Sequence, residues 1–379
     1  MKVSKTIKIA VAAVAVAAFA AQSAFAGGVT IQAGGSSFDA TLLNTCKVAW
    51  QNSTGNTFTY NSSDSGTGQK NEDAGIYDAN FSDSGYVPAK SSVLNIPLVM
   101  APIAVIYNLP GSKPLYLSEK TLSDIFAGIV TKWNDTEIYA DNNQSINQVI
   151  YETNKDGSTK KDKNGAPIVL RTVTVTRHYT LPNQTIHLVV RSDASGTTKN
   201  FVTLFTKSNS DVWKKPADKT FANVFPGAIN GPGNVGRIQA YSGSTGVSAG
   251  LTSTPYSIGY AEVSYATGKL RTAFLGNTHG DFAGPTAANT SAFVAGATLN
   301  SAGLYQFNYG TTAPGAYILG IVSYALVDSA KSGAQAAAMT DFLKFVASPA
   351  CANTSPNYAA ESGPVADYVA SLLAKLPTK

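Results

Sequence analysis

The residues with chemistry to offer fall in three short turns. Arg191-Ser192-Asp193-Ala194-Ser195-Gly196-Thr197 follows the apolar run Ile186–Val190 and precedes a helical pattern. Ala33-Gly34-Gly35-Ser36-Ser37-Phe38 leads into a second helical pattern, and Asp64-Ser65-Gly66-Thr67-Gly68 follows the strand-like run Thr57–Tyr60. Each turn supplies small residues, hydroxyl donors and free backbone N–H groups. The first turn of a helix leaves up to four N–H groups unpaired and carries a partial positive charge, so it grips anions. Several such turns converging would hold a tetrahedral oxyanion without a large net charge. Arg191 adds a planar fork for two oxygens. Asp193, two residues on, is placed to hydrogen-bond the guanidinium and fix its orientation. Singly, each turn has a blander reading: Ser or Thr before a helix is usually only a cap, and Arg beside Asp is usually a surface ion pair. The weight rests on having all three.

The elements that would position these turns alternate between strand and helix, which predicts a parallel α/β sheet with crossovers. Val29–Ala33 and Thr57–Tyr60 read as strands, and Phe81–Tyr86 as a third with Asp83 inside it. Gly34-Gly35-Ser36-Ser37 reads as a turn and helix cap, with the helix running to about Gln51. Ser62 to Gly68 reads as a polar loop. Val93–Tyr107 is almost continuously apolar, as a buried parallel strand would be. Helical patterns follow at Ser118–Phe126, Thr131–Tyr139, Ser195–Lys207, Ala330–Val346 and Val365–Leu376, with a last apolar run at Tyr317–Val327. Between Tyr151 and Tyr179, turn signals at Asn154-Lys155-Asp156-Gly157 and Lys163-Asn164-Gly165 flank the alternating Val169–Val175. That pattern predicts a protruding hairpin.

The N-terminus sets the compartment. Lys2, Lys5 and Lys8 precede thirteen residues without a polar side chain, Ile9–Ala21, and then Ala24-Phe25-Ala26. This is the pattern of a secretory signal peptide, residues 1–26, cut after Ala26. Thirteen residues make about 20 Å of helix, too short for a hydrocarbon core of about 30 Å. No later segment reads as a membrane span. The remaining 353 of 379 residues suit two domains. The formal charge of +5 falls to +2 without the three leader lysines, which gives no case for nucleic acid or a membrane surface. Cys46 and Cys351 are two thiols that either pair or stay buried and separate.

Two motifs invite enzymatic readings. Gly246-Val247-Ser248-Ala249-Gly250 fits a nucleophile elbow, but only Glu262 and His279 follow as partners, and Ser248 reads as part of a loop. Gly231-Pro232-Gly233-Asn234-Val235-Gly236 fits a dinucleotide fingerprint without a strand before it, and reads as a turn. His178, His187 and His279 are scattered, so no metal site or other cofactor is called for.

Taken together and in order, the three turns resemble the PstS family, the phosphate-binding proteins of the high-affinity phosphate ABC transporter. Phe81-Ser82-Asp83-Ser84, Asn95-Ile96-Pro97-Leu98, Leu122-Ser123-Asp124-Ile125-Phe126 and Lys132-Trp133-Asn134-Asp135 extend the resemblance. Leu181-Pro182-Asn183-Gln184 and Ser257-Ile258-Gly259-Tyr260-Ala261-Glu262 continue it. The resemblance implies an α/β type II periplasmic-binding-protein fold, two domains hinged about a ligand cleft. One domain would comprise residues 27–103 plus 317–379 and the other residues 104–316, with the hairpin inserted at about 141–180. The chain would cross near Pro97–Ala104 and Ile318–Tyr324. It implies phosphate ligands Ser37, Phe38, Ser65, Asp83, Arg191, Ser195, Gly196 and Thr197, with Asp193 orienting Arg191. Asp83 would accept a hydrogen bond from a proton-bearing phosphate oxygen. Ser37 stands where the family more usually has Thr, and Asp64 where Gly is expected. The implied protein is a monomeric periplasmic or secreted receptor, not an enzyme, serving a membrane permease and an ATPase. The alternatives are a low-molecular-weight alkaline phosphatase of the same fold, or a phosphate-binding adhesion protein using the hairpin.

Overall fold

The computed structural model describes residues 28–378, apart from 112, 353, 355, 356 and 360; the expected signal peptide lies outside the described residues. Four strands come in quick succession: Thr30–Ser36 (β1), Thr57–Ser63 (β2), Ala79–Ser82 (β3) and Val93–Asn108 (β4). Helices Ala40–Thr54 (α1) and Ser65–Asp73 (α2) connect the first three. They let β1 pair in parallel with both β2 and β3. Helix Glu119–Ala127 (α3) follows, and then an antiparallel ribbon of Ser145–Tyr151 (β5) and Val169–Thr176 (β6). The chain returns through His187–Arg191 (β7), Gly196–Ser208 (α4), Ile238–Tyr241 (β8), Gly243–Ser253 (α5) and Ser257–Glu262 (β9). It closes with Ala287–Val294 (α6), Gly320–Asp328 (β10), Ala334–Val346 (α7) and Pro364–Leu373 (α8).

The main sheet runs β2-β1-β3-β10-β4-β9-β7-β8, with the short strand Arg271–Thr272 beside β4. Its centre is β4, buried from Ile96 to Asn108. Val93 to Pro102 pair with β10, and Ile103 to Asn108 pair with β9. The ladder therefore changes partner between Pro102 and Ile103. Both pairings are antiparallel, which corrects the expectation of a parallel strand at Val93–Tyr107. Burial of both faces makes a strand continuously apolar whatever its direction, so composition cannot report it.

Four other expectations shift. Gly34 and Gly35 belong to β1 rather than to a turn. A Cβ on Gly35, whose φ is +116°, would lie 2.3 Å from Phe81 O, so the glycine permits close packing of β3. Asp83 follows β3 rather than lying inside it. Ser65–Asp73 is a helix, because Asp64 caps it: Oδ1 accepts from Thr67 N at 2.8 Å and Oδ2 from the Thr67 hydroxyl at 2.8 Å. In the Thr131–Tyr139 stretch only residues from Thr136 on are helical, since Trp133 is buried and its Nε1 donates to Tyr256 O at 2.9 Å.

Cys46 and Cys351 are joined, with Cα atoms 5.2 Å apart and a sequence separation of 305. The bond ties α1 to the segment after α7. Replacing both cysteines by alanine is expected to cost about 2–5 kcal/mol, because the crosslink removes a very long loop's freedom from the unfolded chain. Denaturant unfolding of oxidised and double-alanine protein checks this; equal midpoints would refute it.

Candidate functional site

Strand ends and helix starts from both sides of the partner change in β4 meet at one place. From one side come the turn after β1, the start of α2 and the residues after β3. From the other come the end of β7 and the starts of α4 and α5. Asp83 is the junction. Its Oδ1 accepts from Ser65 Oγ at 3.1 Å, and its Oδ2 from Thr197 Oγ1 at 2.5 Å. Its backbone carbonyl accepts from Asn200 Nδ2 at 2.6 Å, and Gly66 N donates to Ala194 O at 3.0 Å. A Cβ on Gly196 would lie 2.5 Å from Ser65 Oγ, so only glycine lets α4 approach α2 this closely.

Arg191 is held as expected of an oriented fork. Its Nε and Nη2 donate to the two Asp193 oxygens at 2.7 and 2.5 Å, and its side chain is 2% exposed. Burial opposes the charge, but the Asp193 bonds and the Asp83 charge outweigh it and hold the guanidinium pKa above its ordinary value. Gly243 N, at the start of α5, donates to Asp193 Oδ1 at 3.3 Å. One residue on, Ser244 N donates to Ser37 Oγ at 3.0 Å, with the two hydroxyls 3.1 Å apart. Tyr265 donates its hydroxyl to Ser37 O at 3.0 Å. Ser37, Ser65, Asp83, Arg191, Asp193, Ser195, Gly196 and Thr197 thus lie at or beside one buried junction. Ser195 Oγ caps α4 by accepting from Thr198 N at 3.2 Å, while its own N–H donates to Lys219 O at 3.0 Å. Phe38 N–H donates to Ser36 Oγ at 3.1 Å, so in this arrangement it is engaged by its own turn.

An oriented guanidinium, clustered hydroxyls, helix starts and one acceptor carboxylate are the kinds of group that could hold an oxyanion that also carries a proton. A family model described as the PBP superfamily domain matches residues 20–350. The phosphate-binding protein PstS 3 of Mycobacterium tuberculosis is 30% identical over 317 residues, spanning 79% of this chain and 73% of that protein. The chain belongs to the PstS family. Another PstS, from Methanocaldococcus jannaschii, is 34% identical over 242 residues, 60% of this chain and 51% of that one. Among solved structures, the high-affinity periplasmic phosphate-binding protein PfluDING, bound with phosphate, superposes with a TM-score of 0.64 at 20% identity, covering 91% of this chain and 93% of that one. A phosphate-binding protein from Stenotrophomonas maltophilia gives 0.61 at 17% identity, covering 91% and 94%. These likenesses establish the periplasmic-binding-protein fold.

Several site residues of this PstS-family chain escaped the sequence reading. Ser244 and Gly243 stand at the start of α5, in a stretch read as a loop around Ser248. The signal was there: a strand ending at Tyr241, then Ser242-Gly243-Ser244, repeats the strand-to-helix pattern of the other three turns. Ser248 itself donates to Tyr265 O at 2.8 Å. Gly231–Gly236 is a turn, as expected. Among the described residues no helix is long and apolar enough to cross a membrane.

Two further buried acids lie behind the site. Asp39 accepts from Ser323 Oγ at 2.8 Å through one oxygen, while the other is shielded and unpartnered. Burial raises its pKa well above the ordinary range; the Asp83 and Glu262 charges add to this and the Ser323 bond opposes it. Burial likewise pushes Glu262 up to about 7 from 4.5, against the hydrogen bonds of Ser264. For both groups the folded pKa exceeds the unfolded one, so above about pH 4.5 the native state retains protons that the unfolded chain has lost. Stability should therefore fall as pH rises from about 4.5 through 7. A shift of this size at Glu262 corresponds to roughly 3 kcal/mol. Melting temperatures at pH 5.5 and 8 check the sign, and Glu262→Gln should flatten the slope; a higher melting point at pH 8 would contradict it.

Proposed function

We propose that this chain is an exported solute-binding protein that takes inorganic phosphate into the cleft between residues 27–103 plus 317–379 and residues 104–316. It would deliver phosphate to the permease and ATPase of an ABC transporter. One observation carries the reading: Asp83, from one side, is bonded by Ser65 of its own side and by Thr197 from the other, with Arg191 locked upright by Asp193 beside it. Arg191 and the helix starts supply donors to phosphate oxygens. Asp83 can accept from a P–OH, which phosphate keeps near neutral pH and sulfate does not. The partner change within β4 supports a hinge there for closure to use. The PstS family and its named phosphate-binding members support the same ligand.

The test is calorimetry of ligand-stripped mature protein against phosphate and then sulfate. Tight one-to-one phosphate binding without a sulfate response is expected. No heat with either anion would overturn the receptor reading. The phosphatase alternative is decided in the same preparation: release of phosphate from a chromogenic monoester, lost in Arg191→Ala, would favour it.

A further inference from the structure

The ribbon of β5 and β6 does not end in solvent. Its base belongs to the β7–β9 side, where Ile146 is buried among Tyr116, Tyr179 and Phe282, and Asn147 bridges to Asp281. Its tip, residues 152–168, folds back through bridges Thr153–Thr159 and Lys161–Pro167. From there it crosses to the other side. Lys161 Nζ donates to Ser362 Oγ at 3.1 Å. A Cβ on Gly165 would lie 2.9 Å from Ser362 O, and one on Gly363 would lie 2.8 Å from Asn164 C, so the two backbones touch. The segment before α8 is fixed to the β1–β4 side: Ala359 bridges to Met100 of β4, and α8 begins at Pro364. Burial raises the Glu361 pKa and the Lys161 charge lowers it. Beneath the arch a cavity of about 790 Å³ is bounded by the tip, the first turn of α6, and Tyr358, Ala359, Glu361 and Ser362. Midway, Tyr151 donates its hydroxyl to Pro314 O at 2.8 Å, just before β10.

We propose that the hairpin tip is a strap across the hinge that favours the closed cleft and thereby sets phosphate affinity. This rests on the receptor reading above. The strap contacts and the cleft contacts, Ser37 with Ser244 and Asp83 with Thr197, coexist in one arrangement. Whatever the strap contributes is therefore added to the closed state, which is also the state that encloses the anion. A contact that stabilises the binding-competent state raises the fraction of molecules in it and tightens apparent affinity by the same factor. The hairpin's Lys155, Lys160 and Lys163 then face outward as a solvated surface, while Lys161 does the bridging.

The experiment replaces Glu152–Ile168 with Asn-Gly, a two-residue turn that suits the β5–β6 ribbon. Phosphate affinity by calorimetry and the ligand-free radius of gyration by X-ray scattering are measured beside the wild type. Affinity about tenfold weaker and a larger ligand-free radius are expected, with circular dichroism unchanged. Unchanged affinity and radius would overturn the strap. If the shortened chain fails to fold, Gly165→Ala displaces the tip at full length, since its Cβ would strike Ser362 from a backbone at φ +85°. Weaker affinity and a larger radius in that variant support the strap, and no change in either rejects it. If the wild type itself binds no phosphate, the receptor reading fails while the strap is still tested: a larger radius in the variant supports it, and an equal radius rejects it.

Discussion

Arg191→Ala is expected to weaken phosphate binding by about 2–5 kcal/mol, roughly 30- to 5,000-fold, and to lower the melting temperature as well. The two effects share a cause. Arg191 is 2% exposed and bonded through two nitrogens to Asp193, which is itself 13% exposed. Removing the guanidinium takes away the fork that would meet two phosphate oxygens, and it leaves Asp193 shielded with only the Gly243 N–H for company. A largely shielded carboxylate without its partner repels an incoming anion and costs the native fold stability. Arg191→Lys keeps the charge but not the planar, two-point grip, so it should recover stability more than affinity. Calorimetry and thermal melts of the two variants separate these effects. A loss of less than tenfold in Arg191→Ala would show that the anion is held elsewhere.

Asp83→Asn should change what binds more than how tightly the fold holds. Both carboxylate oxygens accept hydroxyl protons, from Ser65 and from Thr197. An amide can keep one such bond and donate in the other direction, because a hydroxyl turns to suit. Toward ligand, the carboxylate accepts from P–OH and repels an oxyanion that has no proton. The amide instead offers donors to any oxygen. The preference for phosphate over sulfate should therefore fall by about 1–3 kcal/mol, or roughly 5- to 150-fold. Competition titrations with both anions read this ratio directly. A ratio equal to the wild type's would place the discrimination in other groups.

What the sequence disclosed is the local chemistry of individual turns. The Arg191–Thr197 turn declares itself because a cap, a fork and its orienting acid sit within seven residues. The helices at Ser118–Phe126 and Ser195–Lys207 were legible from Ser caps and apolar period, and each starts within a residue of its expected place. Strand direction at Val93–Asn108 was not, because a strand buried on both faces carries no directional mark. Nor was Gly35, whose need for a bare Cα comes from Phe81, far along the chain. Asp64 was the same kind of problem: it looked like an intruding charge until its cap bonds to Thr67 gave it a partner. Ser244 was missed although its pattern matched the other turns, since its contact with Ser37 exists only after the two halves meet. The hairpin was recognised as an insertion, but its landing on Ser362 depends on tertiary placement alone.

The position of β10 has a kinetic consequence. It lies between β3 and β4, yet its residues start at Gly320, after every other strand of the main sheet. The strands β1 to β3 thus have no central neighbour until nearly the whole chain is available, and nascent β3 and β4 expose open edges meanwhile. Pairings of such sequence separation are slow to form, and unpaired edges are open to wrong partners. Refolding should accordingly be limited by the docking of β10. A chain truncated before Gly320 should collapse without acquiring the protected amides of β3 and β4. The stretch of β4 on which opening and closing of the cleft would turn is thus the last part of the main sheet to be completed.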